Sequence, residues 1–425
     1  MQLRISGRSA LRASGSLLVT VSAVLVLTSC ATGSQSAAPA PPPSTVTVTT
    51  GPPPATPTPL GPVAVTPIVG SVLAPPMPVA ATDGKTHLAY ELVLTNTTSQ
   101  DVTLTSVAAV SGGRTLLNLS GNGLAYWMRT VGTPTPTATI GPAQTALIWL
   151  DVIVDDAAGI PADISHIIGM SLPQPQPPLT EATMTETIAP TTVDNRKPVT
   201  ISPPLSGANW VDANGCCATT PHRMAVNPLN GQLWAAERYA IDYVQLTPDG
   251  RLFTGDRGDL LSYPYFGADV HAAGDGQVAA VVDNLPEQVP GASPVGLPLD
   301  QYAGNHVIED IGAGNYVMYA HLKTGSVKGK VGDKITTGQV VGAVGNTGNT
   351  DTPHLHFQLM SASDPLRANG LPFMFDKFRL DSRIAPAGNV PVDGGGQAQM
   401  QHGIPAGDQT YRMPLYLDVM TYPDR

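Results

Sequence analysis

NYVMYAHL (residues 315–322), KITTGQVVGAVG (334–345) and PHLHFQLM (353–360) are three short apolar runs separated by glycine-bearing turns, and their reading decides the fold. They are rich in β-branched and aromatic residues, too short for a helical period, and bounded by turn residues, so each predicts a strand. On a strand, residues two apart share a face. His354 and His356 therefore project side by side while Leu355 turns the opposite way into a core. GQVAAVVD (276–283) and NHVIEDIG (305–312) extend the pattern upstream, and nine glycines between 305 and 350 supply the turns. Residues 199–385 thus read as one all-β domain.

Working outward, THLAYELVLTNT (86–97) puts Leu88, Tyr90, Leu92 and Leu94 on one face. DVTLTSVAAV (101–110), RTLLNLSG (114–121) and TALIWLDVIV (145–154) continue short strands, so residues 83–198 are expected to form an antiparallel, immunoglobulin-like β-sandwich. Tyr126, Trp127 and Trp149 read as core packing before a sugar-stacking surface. Downstream, LPFMFDKFRL (371–380) and RMPLYLDVMTYPD (412–424) are late strands around a glycine-rich stretch, and residues 386–425 read as a loop with a terminal strand.

Glycine (43) and proline (42) are heavily used and only 13% of residues are charged, against about 25% in an ordinary soluble domain. Apolar content of 42% still excludes a wholly disordered chain. The net charge of -10, with Arg4, Arg8 and Arg12 the only basic cluster lacking acidic neighbours, excludes a general nucleic-acid binder. Those arginines precede an apolar run, Leu17–Leu27, too short for a stable bilayer span. Leu27-Thr28-Ser29-Cys30 then resembles the lipobox of bacterial lipoproteins. The resemblance implies a signal peptide over 1–29, lipidation of Cys30 and a membrane-anchored, extracytoplasmic protein of the bacterial envelope. From Ala13 to Thr82 no residue is charged, and 30–82 reads as a proline-rich tether.

The histidines carry the chemistry. His321 is a polar ring inside the apolar YAHL run, and with His354 and His356 it makes a three-imidazole set. YAHL, GDKITTGQVVGAVGNTGNT (332–350) and PHLHFQ together resemble the lysostaphin-like (LytM-type) zinc metallopeptidases, which cut peptides of bacterial peptidoglycan, over roughly residues 235–360. The resemblance implies the duplicated hybrid motif fold, a zinc cofactor, His356 as a metal ligand, and His321 and His354 as catalytic groups. It also implies an upstream His-x-x-x-Asp. Asp242 fits, but Arg238 stands at the histidine position.

Arginine cannot ligate zinc, because its guanidinium is protonated and offers no lone pair. If 238 and 242 shared a strand face, Arg238 could approach Asp242, occupy the place of the metal and leave a catalytically silent domain that binds cell wall or activates another hydrolase. Alternatively His222, entering from the preceding strand, completes an N/O/N set with Asp242 and His356. A third reading is a lipid-tethered structural protein whose sandwich engages a partner. The enzyme is the leading expectation.

Other residues have quieter readings. Cys216 and Cys217 are adjacent and could pair with each other, pair with a partner chain, or act as soft metal ligands. Residues 284–304 form a long proline-bearing loop, either a cleft wall or a tolerated insertion. His271 and His306 read as surface or structural, and His87, His166 and His402 lack motif context.

Overall fold

The computed structural model describes residues 63–155, 159–386 and 390–425. Cys30, the expected signal segment and most of the expected tether lie outside them. The chain is almost entirely β, in two strand bodies that share a buried boundary.

The first body is a sandwich of two five-stranded sheets. One sheet runs in the order Ile68–Val72, Thr86–Asn96, Thr145–Val154, Met128–Thr130. The other runs Thr183–Thr192, Asp163–Ser171, Val102–Ser111, Arg114–Ser120. Leu88, Tyr90, Leu92 and Leu94 face the inter-sheet core together with Val102, Leu104, Val107 and Ile148, as their period-two spacing requires. Trp149 is buried and Tyr126 is exposed. Ile68–Val72 pairs along its whole length with Leu92–Asn96, so the sandwich reaches back into the stretch expected as tether. The five residues IVGSV alternate as an edge strand does, a signal too short to stand out from the uncharged proline-rich sequence around it.

The second body is built on a twelve-stranded sheet. Its main path is Val199–Ile201, Phe373–Arg383, Asp418–Tyr422, Gly207–Ala213, Ile241–Gln245, Leu355–Met360, Tyr316–Leu322, Asn305–Asp310, Gly276–Val282 and Lys334–Ile335. All neighbours on this path are antiparallel except the first pair. The terminal strand is therefore not an appendage: Met420 pairs with Leu380 on one side and Trp210 on the other. Within the expected 386–425 segment, Asp418–Tyr422 lies inside the large sheet and Gly407–Arg412 pairs with Phe373–Arg383 beside it.

Three central strands sort their side chains by parity. Ile241, Tyr243, Val317, Tyr319, Leu355, Phe357 and Leu359 are buried in the main core. Asp242 and His356 point to the other face and sit directly opposite each other in the register, with Ala320 opposite His356 on its far side.

Candidate metal centre

The register alone brings Asp242 and His356 together, since directly opposed residues of an antiparallel pair hold their Cβ atoms about 4.5–5.5 Å apart. His356 Nδ1 lies 2.9 Å from Asp242 Oδ1. His354 approaches from the start of the same strand, its Nε2 3.2 Å from Asp242 Oδ1.

His321 reaches the site by breaking parity. By alternation with Val317 and Tyr319 it should face the core. Its backbone instead has φ 58°, and the pairing slips between Val307–Tyr319 and Asn305–Leu322. This bulge sends Leu322 into the core and leaves His321 beside the other rings, 4.6 Å from His354 and 5.7 Å from His356 between centroids. Histidine is among the non-glycine residues that tolerate the left-handed region, at a cost of about 1–3 kcal/mol. The turn that carries His354 is pressed against the same bulge. A Cβ on Gly345 would lie 2.2 Å from the Lys323 backbone nitrogen, so only glycine lets the two segments meet this closely. The 284–304 loop is fastened here too: Glu287 accepts from the Asn346 N–H (2.6 Å), and the His321 N–H donates to the Ala303 carbonyl (3.0 Å).

His222 arrives on a single helical turn, Pro221–Met224, rather than on the expected strand. Thr220 caps that turn, its Oγ1 accepting from the Arg223 N–H (3.2 Å), and proline at the first position favours helix over sheet. His222 Nε2 lies 3.1 Å from Asp242 Oδ2, and its ring is 4.7 Å from that of His356. His222, Asp242 and His356 hold candidate ligand atoms within 4.8 Å of one another, as do His321, His354 and His356.

Arg238 is elsewhere. It lies in a turn ahead of the Ile241–Gln245 strand, not on the strand, so the expected shared face with Asp242 does not exist. Its guanidinium binds Glu91 of the sandwich, with Nε 3.0 and 3.1 Å from the two carboxylate oxygens. The arrangement in which Arg238 sits on Asp242 in place of a metal is not the one observed.

The hydrogen-bond partners test whether a cation fits. Nδ1 of His222 faces the Ala240 carbonyl (3.1 Å), Nδ1 of His354 faces the Thr352 carbonyl (2.7 Å), and Nε2 of His356 faces Gln358 Oε1 (2.9 Å). The other nitrogen of each ring faces Asp242. His222 and His354 thus have an acceptor at both ends, whereas the Gln358 amide can turn either its oxygen or its otherwise unpartnered nitrogen to His356. A neutral imidazole has one N–H and satisfies only one of them. Protons alone would satisfy these four contacts only with two buried imidazolium ions beside one carboxylate, which mutual repulsion and desolvation oppose. A divalent cation bound by His222 Nε2, His356 Nδ1 and Asp242 relieves the conflict at His222. His222 and His356 then stay neutral and turn the inner lone pair to the metal, with the outer N–H of His222 donated to the Ala240 carbonyl. The donor set fits zinc.

The electrostatics agree with a cation-seeking site. Burial would raise the Asp242 carboxyl, yet the imidazoles of His222 and His354 hold it well below the usual range. Burial likewise disfavours charge on His222 and His354, but Asp242 outweighs it and raises both. His321 is held well below its ordinary value by burial and by the neighbouring His354 and His356. Its Nδ1 donates to the Thr347 carbonyl (2.7 Å), which leaves Nε2 with the free lone pair.

Comparison with known proteins finds similarity over the part of the chain that carries His321, His354 and His356. Residues 257–368 match the model of peptidase family M23. The chain carries a family M23, LytM-type peptidase domain. The matched stretch holds His321, His354 and His356, and begins downstream of Asp242 and His222, which it does not include. The chain is 34% identical over 102 residues to peptidoglycan DD-endopeptidase ShyA of Vibrio cholerae, covering 24% of this chain and 20% of that protein. It is 33% identical over 97 residues to glycyl-glycine endopeptidase ALE-1 of Staphylococcus capitis, covering 19% and 26%. The chain thus spans about a fifth to a quarter of these relatives' length. Among solved structures, the catalytic domain of lysostaphin from Staphylococcus simulans aligns with 38% of this chain and 88% of that one, at 19% identity and TM-score 0.21.

The remaining expected features resolve simply. Cys216 and Cys217 form a disulfide with each other, which removes the metal-ligand and partner-pairing alternatives. His271 and His306 are buried and bonded to the Gly338 (3.0 Å) and Gly304 (2.8 Å) carbonyls, and His166 contacts Tyr90 Oη (2.8 Å). Sequence reasoning missed Gln358, two residues beyond His356 on the same strand face and so readable from parity alone.

Proposed function

We propose that this protein is a zinc-dependent endopeptidase that hydrolyses peptide bonds of bacterial cell-wall peptidoglycan, held at the envelope by a lipid on Cys30. The observation that carries the reading is the buried convergence of His222, His354 and His356 on Asp242, with His222 facing an acceptor at both ends, an arrangement that a divalent cation satisfies. The M23 domain supports the peptidase class, and the peptidoglycan endopeptidases among the relatives support the substrate class.

His222, Asp242 and His356 would hold the zinc, which when bound polarises the scissile carbonyl and acidifies a water. The chain supplies the proton handling. His321, fixed by Thr347 through Nδ1, offers Nε2 to accept a proton from the attacking water. His354, its Nδ1–H held by the Thr352 carbonyl, presents Nε2–H to the developing oxyanion or the leaving amine when the ring is protonated. The silent-domain alternative drew its support from Arg238 reaching Asp242, and the pairing of Arg238 with Glu91 withdraws that support.

The test is zinc stoichiometry of the full chain and of its His222→Ala and His356→Ala variants, together with digestion of purified peptidoglycan. One zinc per parent chain, lost in both variants along with digestion, is expected. A parent chain that takes up no zinc refutes the reading; zinc kept by His222→Ala refutes the ligand assignment.

A further inference from the structure

Glu91 is a fully buried carboxylate that belongs to neither the sandwich core nor the metal centre. It lies on the Thr86–Asn96 strand, where alternation directs Leu88, Tyr90, Leu92 and Leu94 inward and Ala89 and Glu91 outward. A glutamate on the outer face of such a sandwich is ordinarily solvated. Here it is 0% exposed because the peptidase body covers that face. Its carboxylate receives two guanidiniums, Arg223 and Arg238, themselves 1% and 5% exposed. Arg223 also donates to the Tyr90 (2.9 Å) and Leu150 (3.0 Å) carbonyls of the sandwich. Tyr239 adds a bond to the Ala89 carbonyl (3.2 Å).

Both arginines adjoin the candidate metal centre. Arg223 follows His222 in the same four-residue helical turn. So short a helix has no cooperative stability of its own, and its placement depends on its anchors. Arg238 precedes Asp242 by four residues, and Glu91 claims its guanidinium.

We propose that Glu91 is a positioning residue of the metal centre: it anchors the turn that presents His222, and it holds Arg238 away from Asp242. The sandwich is then a working part of the site. This inference rests on the zinc reading above. It assigns the first domain a chemical role, since the ligand that replaces the missing histidine is usable only when the sandwich is docked. The same carboxylate offsets the substitution at 238, because an arginine at that position is tolerable only if another acid claims it. Burying one carboxylate with two guanidiniums is costly for stability alone, as hydrophobic replacements for buried ion groups often show. A positioning role gives the arrangement a reason.

The experiment uses the full chain as parent, E91Q, R238Q and E91Q/R238Q, with zinc affinity measured by competition with a chromophoric chelator. Cobalt(II) substitution adds the visible absorption of the bound metal as a readout of ligand geometry. Loss of an outer support typically weakens metal binding by about 10–100-fold. The expected order of zinc affinity is parent and R238Q alike, then E91Q/R238Q, then E91Q weakest by about 10–100-fold, with a changed cobalt spectrum in E91Q. The double variant exceeds E91Q because the freed guanidinium is gone, and falls short of R238Q because Arg223 has lost its anchor. A role confined to stability predicts no such rescue and would shift the unfolding midpoint while leaving metal affinity in the folded protein unchanged. Equal affinity in parent and E91Q overturns the inference and leaves the zinc reading standing; a parent that binds no zinc overturns both. Should E91Q fail to fold, E91Q/R238Q against R238Q decides the anchoring claim, and equal affinity in that pair overturns it.

Discussion

Raising the pH should weaken the sandwich through a single residue, His87. Its ring is 5% exposed and bonded at both nitrogens, Nδ1 to Asp151 Oδ2 (2.9 Å) and Nε2 to Asp83 Oδ2 (3.1 Å). Burial by itself lowers a histidine's affinity for its proton, but the bonds and charges of Asp151 and Asp83 outweigh it, and the imidazole is pushed up to about 9. The unfolded value is about 6.5. Because the folded value is the higher one, the protonated ring stabilises the fold fully below about pH 6.5 and ceases to do so as pH rises through about 9. At 1.36 kcal/mol per unit the difference amounts to about 3 kcal/mol. Other groups titrate over the same interval, so the clean measurement is a difference. Urea unfolding of the full chain and of His87→Gln at pH 6 and pH 10 gives two stability gaps, and the gap between parent and variant should shrink by about 3 kcal/mol at the higher pH. A gap that stays constant across the interval would show that the two aspartates do not hold a proton on His87, and the reasoning fails.

Three further outcomes are expected. Gln358→Ala removes the oxygen that fixes the outer nitrogen of His356 and should weaken zinc binding by about 10–100-fold in a chelator competition, with the fold retained by circular dichroism. His321→Ala should keep zinc but lose about 10²–10⁴-fold in peptide hydrolysis, and loss of zinc instead would move His321 from proton transfer to ligation. Gly345→Ala places a methyl against the Lys323 backbone and should cost about 1–3 kcal/mol in thermal unfolding while pushing the His354 turn away from His321, so that turnover falls as well.

Much of the site was legible because β-strand parity is local. The His-x-His pair, with Leu355 buried opposite, needs only alternation, and Asp242 needs only the register that follows from its neighbours. The helical turn at Pro221–Met224 was not legible as such: four residues between turns carry no period, and only the Thr220-Pro221 pair marks a helix start. The reversal of parity at His321 was also hidden, since a bulge is set by pairing with Asn305–Asp310 and not by the YAHL run itself. Arg238 was the hardest residue. Its partner Glu91 lies 147 positions away on a strand whose pattern marks it as solvent-facing, and only the docking of the two bodies buries it. The edge strand Ile68–Val72 escaped for a different reason, a composition so dominated by proline and small residues that five alternating positions do not shift it.

The place of Asp418–Tyr422 in the middle of the large sheet bears on the order in which this protein can come into being. A chain emerging from the ribosome presents the sandwich first, with its pairings complete by Thr192, and that body can form while synthesis continues. The peptidase sheet cannot close until residue 422 is available, because Phe373–Arg383 and Gly207–Ala213 are neighbours only through that last strand. The strands bearing Asp242, His356 and His321 pair with one another and with Gly207–Ala213 without it, so the last strand is what ties the Phe373–Arg383 arm, and Val199–Ile201 beside it, to the site-bearing part of the sheet.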